Sequence, residues 1–145
     1  VPDLETMIQK RNAMMAKHPN TIFIGAHVGN YHQDLTVVAH VLDKYRNFYV
    51  DVSARINELG RQPYTARRFL IKCQDRVLFG TDASDAEEYK NYFRFFETDD
   101  EFYYAYFATS WMIYGVYLPK KMLKKIYYEN ATKAIPKLQD YSQPK

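Results

Sequence analysis

Three short runs of apolar residues recur along the chain at nearly equal spacing, and this repeat limits the choice of fold more than any other feature. They lie near residues 21–27, 48–53 and 76–82. Such spacing suits consecutive strand–helix units of about 30 residues. Within each run the apolar residues occupy successive positions, which is typical of strands covered on both faces. The pattern therefore predicts three buried strands of a parallel sheet.

The residues between the runs carry helical patterns and helix-start signals. Asp3 is suited to cap a first helix, and residues 33–45 have the apolar periodicity of a second. Pro63 suits the first turn of a third helix, and Ser84 with Glu87 fits a capping box that would start a fourth. The order α-β-α-β-α-β-α predicts an α/β fold, in which helices cover the sheet.

Two parallel architectures fit this order, and the positions of the unusual residues favour one of them. A doubly wound sheet usually has a glycine-rich phosphate turn after a strand, and the sequence has none. A barrel carries its chemistry at the carboxyl ends of its strands, where this chain has His27 and Asp82. A (β/α)8 barrel needs eight strands and about 250 residues. The chain is therefore predicted to be the C-terminal portion of such a barrel, a single partial domain over residues 1–145 that ends in a helical segment at 85–140.

Composition and charge exclude several classes of protein. The formal net charge is +3, and the basic residues are scattered rather than gathered in a stripe, so nucleic-acid binding is not expected. The single cysteine, Cys73, cannot form an internal disulfide. No apolar run approaches the roughly 18–20 residues of a membrane span, and no signal-peptide pattern is present. A cytoplasmic location without membrane contact is the expectation, although a targeting segment would be lost if the chain is a fragment.

His27 and Asp82 are the candidate catalytic residues. The first predicted strand ends in Gly-Ala-His-Val-Gly-Asn and the third in Gly-Thr-Asp-Ala-Ser. An imidazole at such a position can bind a metal, polarise a carbonyl or transfer a proton, and a carboxylate can bind a cation or accept a proton. Their small neighbours are expected to leave room for a substrate. A structural hydrogen bond for His27 and a helix cap for Asp82 are the alternatives, but the capping box at Ser84 leaves Asp82 free for another role.

Taken together, GAHVGN, FGTDAS and the closing stretch LPKKMLKKIYYENATKAI resemble the amidohydrolase-related family of metal-dependent hydrolases and decarboxylases. The closing stretch is similar to the family's last helix, which carries an Asn-Ala pair, here Asn130 and Ala131. The resemblance implies that His27 activates water or polarises the substrate, and that Asp82 is a metal ligand or general base. It also implies a divalent metal, usually zinc. The family's His-x-His ligand pair is absent from the chain.

Several other residues are weighed as site candidates. Arg55 follows the second predicted strand and is a candidate clamp for a substrate carboxylate, with a salt bridge inside its loop as the alternative. His32 is predicted to be a loop residue, His40 a packed or half-exposed helix residue, Asp51 a buried hydrogen-bonding residue and Cys73 inert. The aromatic residues between Tyr89 and Tyr128 are expected to pack the last helices. Lining a pocket or a partner surface is the alternative for them.

The sequence thus predicts the C-terminal part of a metal-dependent hydrolase that acts on a carbon–nitrogen or an ester or lactone carbon–oxygen bond of a small molecule. A decarboxylase with the same site is one alternative. A half-barrel module that binds a partner without catalysis is the other, because unpaired strand edges favour association. The expected partners are a small-molecule substrate and either the missing N-terminal half of the barrel or a second copy.

Overall fold

A computed structural model describes residues 3–105 and 111–141, and shows helices alternating with three short strands. The helices and strands are α1 (Leu4–Lys17), β1 (Phe23–Gly25), α2 (Ala26–Gly29), α3 (Leu35–Lys44), β2 (Phe48–Asp51), α4 (Ile56–Leu59), α5 (Pro63–Lys72), β3 (Val77–Leu78), α6 (Ala86–Glu97), α7 (Lys120–Lys124), a π-helical turn (Lys125–Glu129), α8 (Asn130–Ala134) and a 3-10 helix (Pro136–Tyr141).

The three strands form one parallel sheet in the order β1-β2-β3. Phe23 of β1 pairs with Phe48 of β2, and Val50 of β2 pairs with Val77 of β3. The carboxyl ends of all three strands therefore lie at one edge of the sheet. This arrangement confirms the predicted α/β class with three parallel strands, although each strand is shorter than the sequence indicated.

Aspartate side chains begin three of the helices. Asp3 accepts a hydrogen bond from the amide of Thr6 at 2.7 Å, and Asp34 accepts bonds at the start of α3. The prediction that Ser84 caps α6 is wrong. Asp85 is the N-cap, and its carboxylate accepts the amide of Glu87 at 2.9 Å, so the helix starts one residue later than a box at Ser84 would require. Pro63 opens α5 as predicted.

The core lies between the sheet and the helices α3, α5 and α6, with buried residues such as Leu42, Val50, Leu70 and Phe95. The side of the fold next to β1 is much more open. Ile22 and Ile24 are each 42% exposed, and on α1 only Ile8 and Met15 of the apolar residues are buried. The expectation that the first strand is covered on both faces is therefore not met.

The segment after α6 differs in part from the predicted helical segment over 85–140. Helix α6 ends at Glu97, and the described residues between it and Lys120 form no helix but an extended stretch with a bridge between Tyr103 and Ile113. This stretch is held by backbone bonds to α6, such as that from Val116 to the carbonyl of Phe95 at 2.8 Å. In this stretch, hydrogen bonds to another segment of the chain take the place of the hydrogen bonds that a helix would form within itself.

The aromatic residues of this region divide into packed and exposed groups. Tyr92, Phe95, Phe96 and Tyr103 are buried, as the packing interpretation predicts. The more exposed aromatic residues, between 39% and 64%, are Tyr89, Phe93, Phe102, Tyr104, Trp111, Tyr117 and Tyr128. Tyr106 and Phe107, which belong to the same aromatic region, lie outside the described residues. The packing interpretation is thus confirmed for the buried group, whereas a pocket or partner surface for the exposed group stays a prediction.

The outer edge of β3 is covered by the C-terminal helical segment. The amide of Phe79 donates to the carbonyl of Ile126, which lies in the π-helical turn, at 2.9 Å. The side-chain amide of Asn130 donates to the carbonyls of Val77 and Gln74 at 2.8 and 2.7 Å. Backbone groups that a further strand would pair with are therefore already satisfied. Within the described part of the chain, no helix is both long enough and apolar enough to cross a membrane.

Candidate active site

His27 follows β1 directly, and its imidazole is held at the carboxyl end of the sheet. Its Nδ1 lies 2.9 Å from the carbonyl oxygen of Ser53, which follows β2. A carbonyl oxygen only accepts hydrogen bonds, so Nδ1 carries the proton and Nε2 of the neutral ring carries the lone pair. Since the ring is half-buried rather than enclosed, this tautomer presents a basic nitrogen that can take a proton or bind a cation.

Asp51, the last residue of β2, organises this arrangement. One of its carboxylate oxygens, Oδ1, accepts the backbone amides of His27 and Ser53, each at 3.0 Å. The same oxygen accepts the hydroxyl of Ser53. Hydrogen bonds to a charged acceptor are stronger than neutral ones. Asp51 therefore joins the ends of β1 and β2, in agreement with the structural role predicted for it.

The backbone around His27 is left-handed over four consecutive residues. The φ angles of His27, Val28, Gly29 and Asn30 are 57°, 58°, 64° and 57°. Left-handed backbone costs non-glycine residues roughly 1–2 kcal/mol each, so it persists only where surrounding contacts hold it. Here the guanidinium of Arg11 on α1 donates to the carbonyl of Gly29 at 2.7 Å, and Asp51 holds the amide of His27. Strain of this kind is concentrated at functional sites.

The small residues near His27 have a structural reason that differs from the predicted one. A Cβ placed on Gly25 would come within 2.6 Å of the Phe48 ring, so this glycine makes room for a core ring rather than for a substrate. Gly29 adopts the left-handed conformation that glycine tolerates best. Gly80 lies at the other side of the sheet, where a Cβ would be 3.5 Å from both Asp51 and Ser53.

Asp82 follows β3 and is exposed, with a positive φ of 63°. The preceding residue is fixed, because its carbonyl accepts the amide of Ala54 at 3.2 Å and the hydroxyl of Tyr92 at 3.1 Å. His27 and Asp82 thus both lie at the carboxyl end of the sheet, with the end of β2 between them. No hydrogen bond or ion pair that the described residues form joins the two side chains directly.

Glu88 is a carboxylate near Asp82 that the sequence did not single out. It is only 7% exposed, and one of its oxygens has no hydrogen-bond partner within the described structure. Burial raises the pKa of Glu88, and the negative charges of Asp82 and Asp85 raise it further. Glu88 lies on the first turn of α6 with its side chain buried. The sequence did not reveal this, because Glu88 belongs to a run of acidic residues that is typical of an exposed helix start.

Arg55 lies beside two residues that the sequence did not assign to the site. Its guanidinium donates to the carbonyl of Ala54 at 2.7 Å and lies 3.7 Å from the carboxylate of Glu58. His32, which reaches this loop from the end of β1, has a pKa lowered by burial, while the charge of Glu58 opposes this and those of Arg55 and His27 add to it. Buried polar atoms of His32, Arg55 and Glu58 have no partner within the described structure. The salt bridge predicted as an alternative for Arg55 is thus present, next to unsatisfied polar atoms.

The remaining candidates lie away from this edge or are inert. His40 is exposed on α3. Cys73 is the C-cap residue of α5, where burial raises the pKa of its thiol to about 11. A thiol with such a pKa is protonated at neutral pH and a poor nucleophile. The structure therefore agrees with the prediction that Cys73 is inert.

The described residues do not bring together a set of metal ligands. Residues 3–105 and 111–141 contain no group of three or more histidine, cysteine, aspartate or glutamate side chains that could hold a metal ion. A catalytic zinc site needs about three protein ligands. The ligands among these described residues therefore do not fit a tightly held zinc ion.

Comparison with known proteins gives one match. No curated protein and no solved structure matches the chain. A family model described as "Amidohydrolase" matches residues 4–137, which is nearly the whole chain and includes His27, Asp82 and Asn130. The match confirms the resemblance that the sequence motifs carried. The chain belongs to the amidohydrolase family.

Proposed function

We propose that the chain forms the C-terminal part of a (β/α)8 hydrolase and contributes to an active site that cleaves a carbon–nitrogen bond, or the carbon–oxygen bond of an ester or lactone, in a small molecule. The observation that carries this proposal is the fixed imidazole of His27. Its Nδ1 is bound to the Ser53 carbonyl and its backbone is held by Asp51. Membership of the amidohydrolase family supports hydrolysis as the type of reaction.

In the proposed reaction Nε2 of His27 assists a water molecule that attacks the acyl carbon of the substrate. The ring takes a proton from the water as the carbon–oxygen bond forms, and the proton then passes to the leaving amine or alkoxide as its bond to carbon breaks. Because the Ser53 carbonyl accepts from Nδ1, it also stabilises the protonated ring that exists between these two steps.

Asp82 and Arg55 are assigned supporting roles at the same edge. Asp82 is the proposed general base that shares proton transfer with His27, and Arg55 is the proposed clamp for a substrate carboxylate. Because the family is usually metal-dependent, we propose that Asp82 would be one ligand of zinc in the complete barrel, with the remaining ligands supplied from outside the described residues. Asp82 alone cannot hold it, so every step above is assigned to protein side chains.

The test is to assay the protein on a panel of small N-acyl amides, esters and lactones, together with the variants His27→Ala and Asp82→Ala. Each substitution is expected to lower kcat by about three orders of magnitude, the usual contribution of an acid–base group. His40→Ala and Asp43→Asn, which alter an exposed histidine and an exposed acid on α3, serve as matched controls. Near-normal kcat in either site variant would contradict the assigned role. Release of carbon dioxide from small carboxylic acids assayed in parallel, without hydrolysis of the panel, would assign the decarboxylase alternative.

The open side of the sheet favours a second candidate function, in which the chain binds an extended segment of another chain without catalysis. Within the described residues β1 pairs only with β2. A groove of about 340 Å³ lies beside β1, between α1 and the segment with left-handed backbone at residues 27–30. Leu4 and Met7 of α1 line this groove and are 42% and 48% exposed, and Ile22 and Ile24 are each 42% exposed. An unpaired edge with adjacent apolar surface is suited to accept a further strand.

Sedimentation velocity on the purified protein tests this candidate. Replacing Ile22 and Ile24 together by lysine is expected to convert associated species to monomer, because charges on an edge strand oppose pairing. Ile71→Lys places the same charge on an exposed position of α5 and should leave association unchanged. A wild-type protein that sediments as a monomer at every concentration would count against association through this edge.

A further inference from the structure

A cavity on the flank of the fold lies between the start of α5 and the extended stretch that follows α6. Its volume is about 260 Å³. Tyr64, Tyr114 and Tyr117 line it together with Asp99 and Glu101. Tyr64 and Tyr117 are 79% and 59% exposed, so the aromatic wall is open to a ligand from solvent. This cavity contains none of the residues assigned to the active site.

The wall of the cavity is fixed before any ligand arrives. The amides of Tyr114, Gly115 and Tyr117 donate to the carbonyls of Gly60, Asp100 and Thr98 at 3.1, 2.8 and 3.0 Å. A Cβ on Gly115 would lie 2.1 Å from the Thr98 carbonyl, so only glycine permits this approach. A backbone that is already fixed loses little conformational freedom when the cavity binds a ligand.

The charges around the cavity are unbalanced towards negative. Among the ion pairs of the described residues, none involves Asp99 or Glu101, whereas the neighbouring Asp100 is paired with Arg94 at 2.7 Å. The one cationic side chain of the lining, Arg67, donates to the carbonyls of Val116 and Tyr117 and is thus fixed in the wall. Two carboxylates against one guanidinium leave a formal charge of one negative unit (−2 + 1 = −1).

Tyrosine rings and carboxylates together suit one class of ligand. Alkylammonium ions are attracted to the electron-rich faces of aromatic rings and, at the same time, to nearby negative charge. A metal ion would need more oxygen ligands than two carboxylates supply. We infer that this cavity binds a small alkylammonium ion, with Tyr64, Tyr114 and Tyr117 around the methylated nitrogen and with Asp99 and Glu101 as counter-charges.

A simpler explanation of the two carboxylates is that they offset the positive end of α5 and the charge of Arg67. That explanation predicts no selectivity for a cationic ligand. The two explanations are separated by comparing a cation with an uncharged molecule of the same shape, in which only the charge differs.

The experiment titrates the full chain with choline and with its uncharged tert-butyl analogue at constant ionic strength, with binding followed by calorimetry and by the NMR signals of the tyrosine rings. Choline is expected to bind at least about tenfold more tightly than the analogue. The double variant Asp99→Asn with Glu101→Gln, which keeps the shape, and Tyr64→Leu, which removes an exposed ring, should each weaken choline binding about tenfold. Equal affinity for the two ligands, or no binding of choline at concentrations up to about 50 mM, would overturn the inference.

Two control variants keep this result specific to the cavity. Tyr104→Leu removes a ring that is 60% exposed outside the cavity lining, and Glu5→Gln removes an exposed carboxylate on α1. Both should bind choline as the wild type does. Loss of binding in either of them would show that choline is held by nonspecific charge or aromatic surface, which contradicts a cavity built from the three tyrosines and two acids.

Discussion

Replacing Asp51 by alanine is expected to lower the free energy of unfolding by about 3 kcal/mol and to release the ring of His27. The substitution removes a single oxygen that accepts hydrogen bonds from the amides of His27 and Ser53 and from the Ser53 hydroxyl. Each bond to a charged acceptor contributes roughly 1.5–3 kcal/mol, and the three are not additive because they share one acceptor. Urea unfolding followed by circular dichroism measures the loss of stability.

The second measurement on this variant is the protonation pattern of the His27 ring by nitrogen NMR. In the wild type the Nδ1 proton is held by the Ser53 carbonyl, whereas in the variant both tautomers should exchange. Asp34→Ala is the matched control, since Asp34 also accepts two backbone amides but at an exposed helix start. Its loss should cost about 1 kcal/mol and leave His27 unchanged. An Asp51 variant as stable as the control, with an unaltered His27 signal, would remove Asp51 from the site.

Replacing Asn130 by alanine is expected to destabilise the protein by about 3 kcal/mol. Asn130 is fully buried, and its amide donates to the carbonyls of Gln74 and Val77. Leaving two buried carbonyls without partners costs roughly 1–3 kcal/mol for each. The change also weakens the contact between the last helical segment and β3, so the amide of Phe79 should exchange with solvent deuterium faster than in the wild type.

Asn91→Ala provides the control for this prediction. The amide of Asn91 donates to the carbonyl of Glu87 within the same helix at 3.0 Å, so the hydrogen bond that is lost is not a tertiary one. Its expected effect is within about 0.5 kcal/mol of zero. If Asn130→Ala unfolded at the same urea concentration as this control, the last helix would not be the element that covers β3.

The fold was predictable to the extent that short-range patterns determine it. Val77 and Leu78 of β3 are buried in a parallel sheet as predicted, whereas β2 alternates buried and half-buried residues. Pro63 and Asp3 mark helix starts as predicted. The cap at Asp85 was missed because Ser84 and Asp85 are both good caps, and the choice between them depends on how β3 leads into α6. The non-helical path of residues 98–105 and 111–119 was missed because it is held by hydrogen bonds between separate segments, and no local sequence period encodes such bonds.

The candidate site was predictable in its residue types and not in its supporting contacts. His27 and Asp82 were identified from their place after apolar runs, and Asp51 from its place within one. The bond from Nδ1 of His27 to the Ser53 carbonyl could not be predicted, since His27 and Val28 are left-handed and neither residue type indicates such a backbone. The neighbourhood of His32, Arg55 and Glu58 joins two loops that are more than twenty residues apart, and it appears only when the strands are adjacent.

The π-helical turn at Lys125–Glu129 makes the two edges of the sheet different. At β3 the carbonyl of Ile126 takes the place that a neighbouring strand would occupy, whereas within the described residues β1 has only β2 beside it. Two copies that meet through β1 would be related by a two-fold axis. The edge of β3, which is already covered, would then be the only outer sheet edge of each copy. Such pairing ends at two chains and cannot propagate into a fibre, because propagation requires a second unpaired strand edge on every copy.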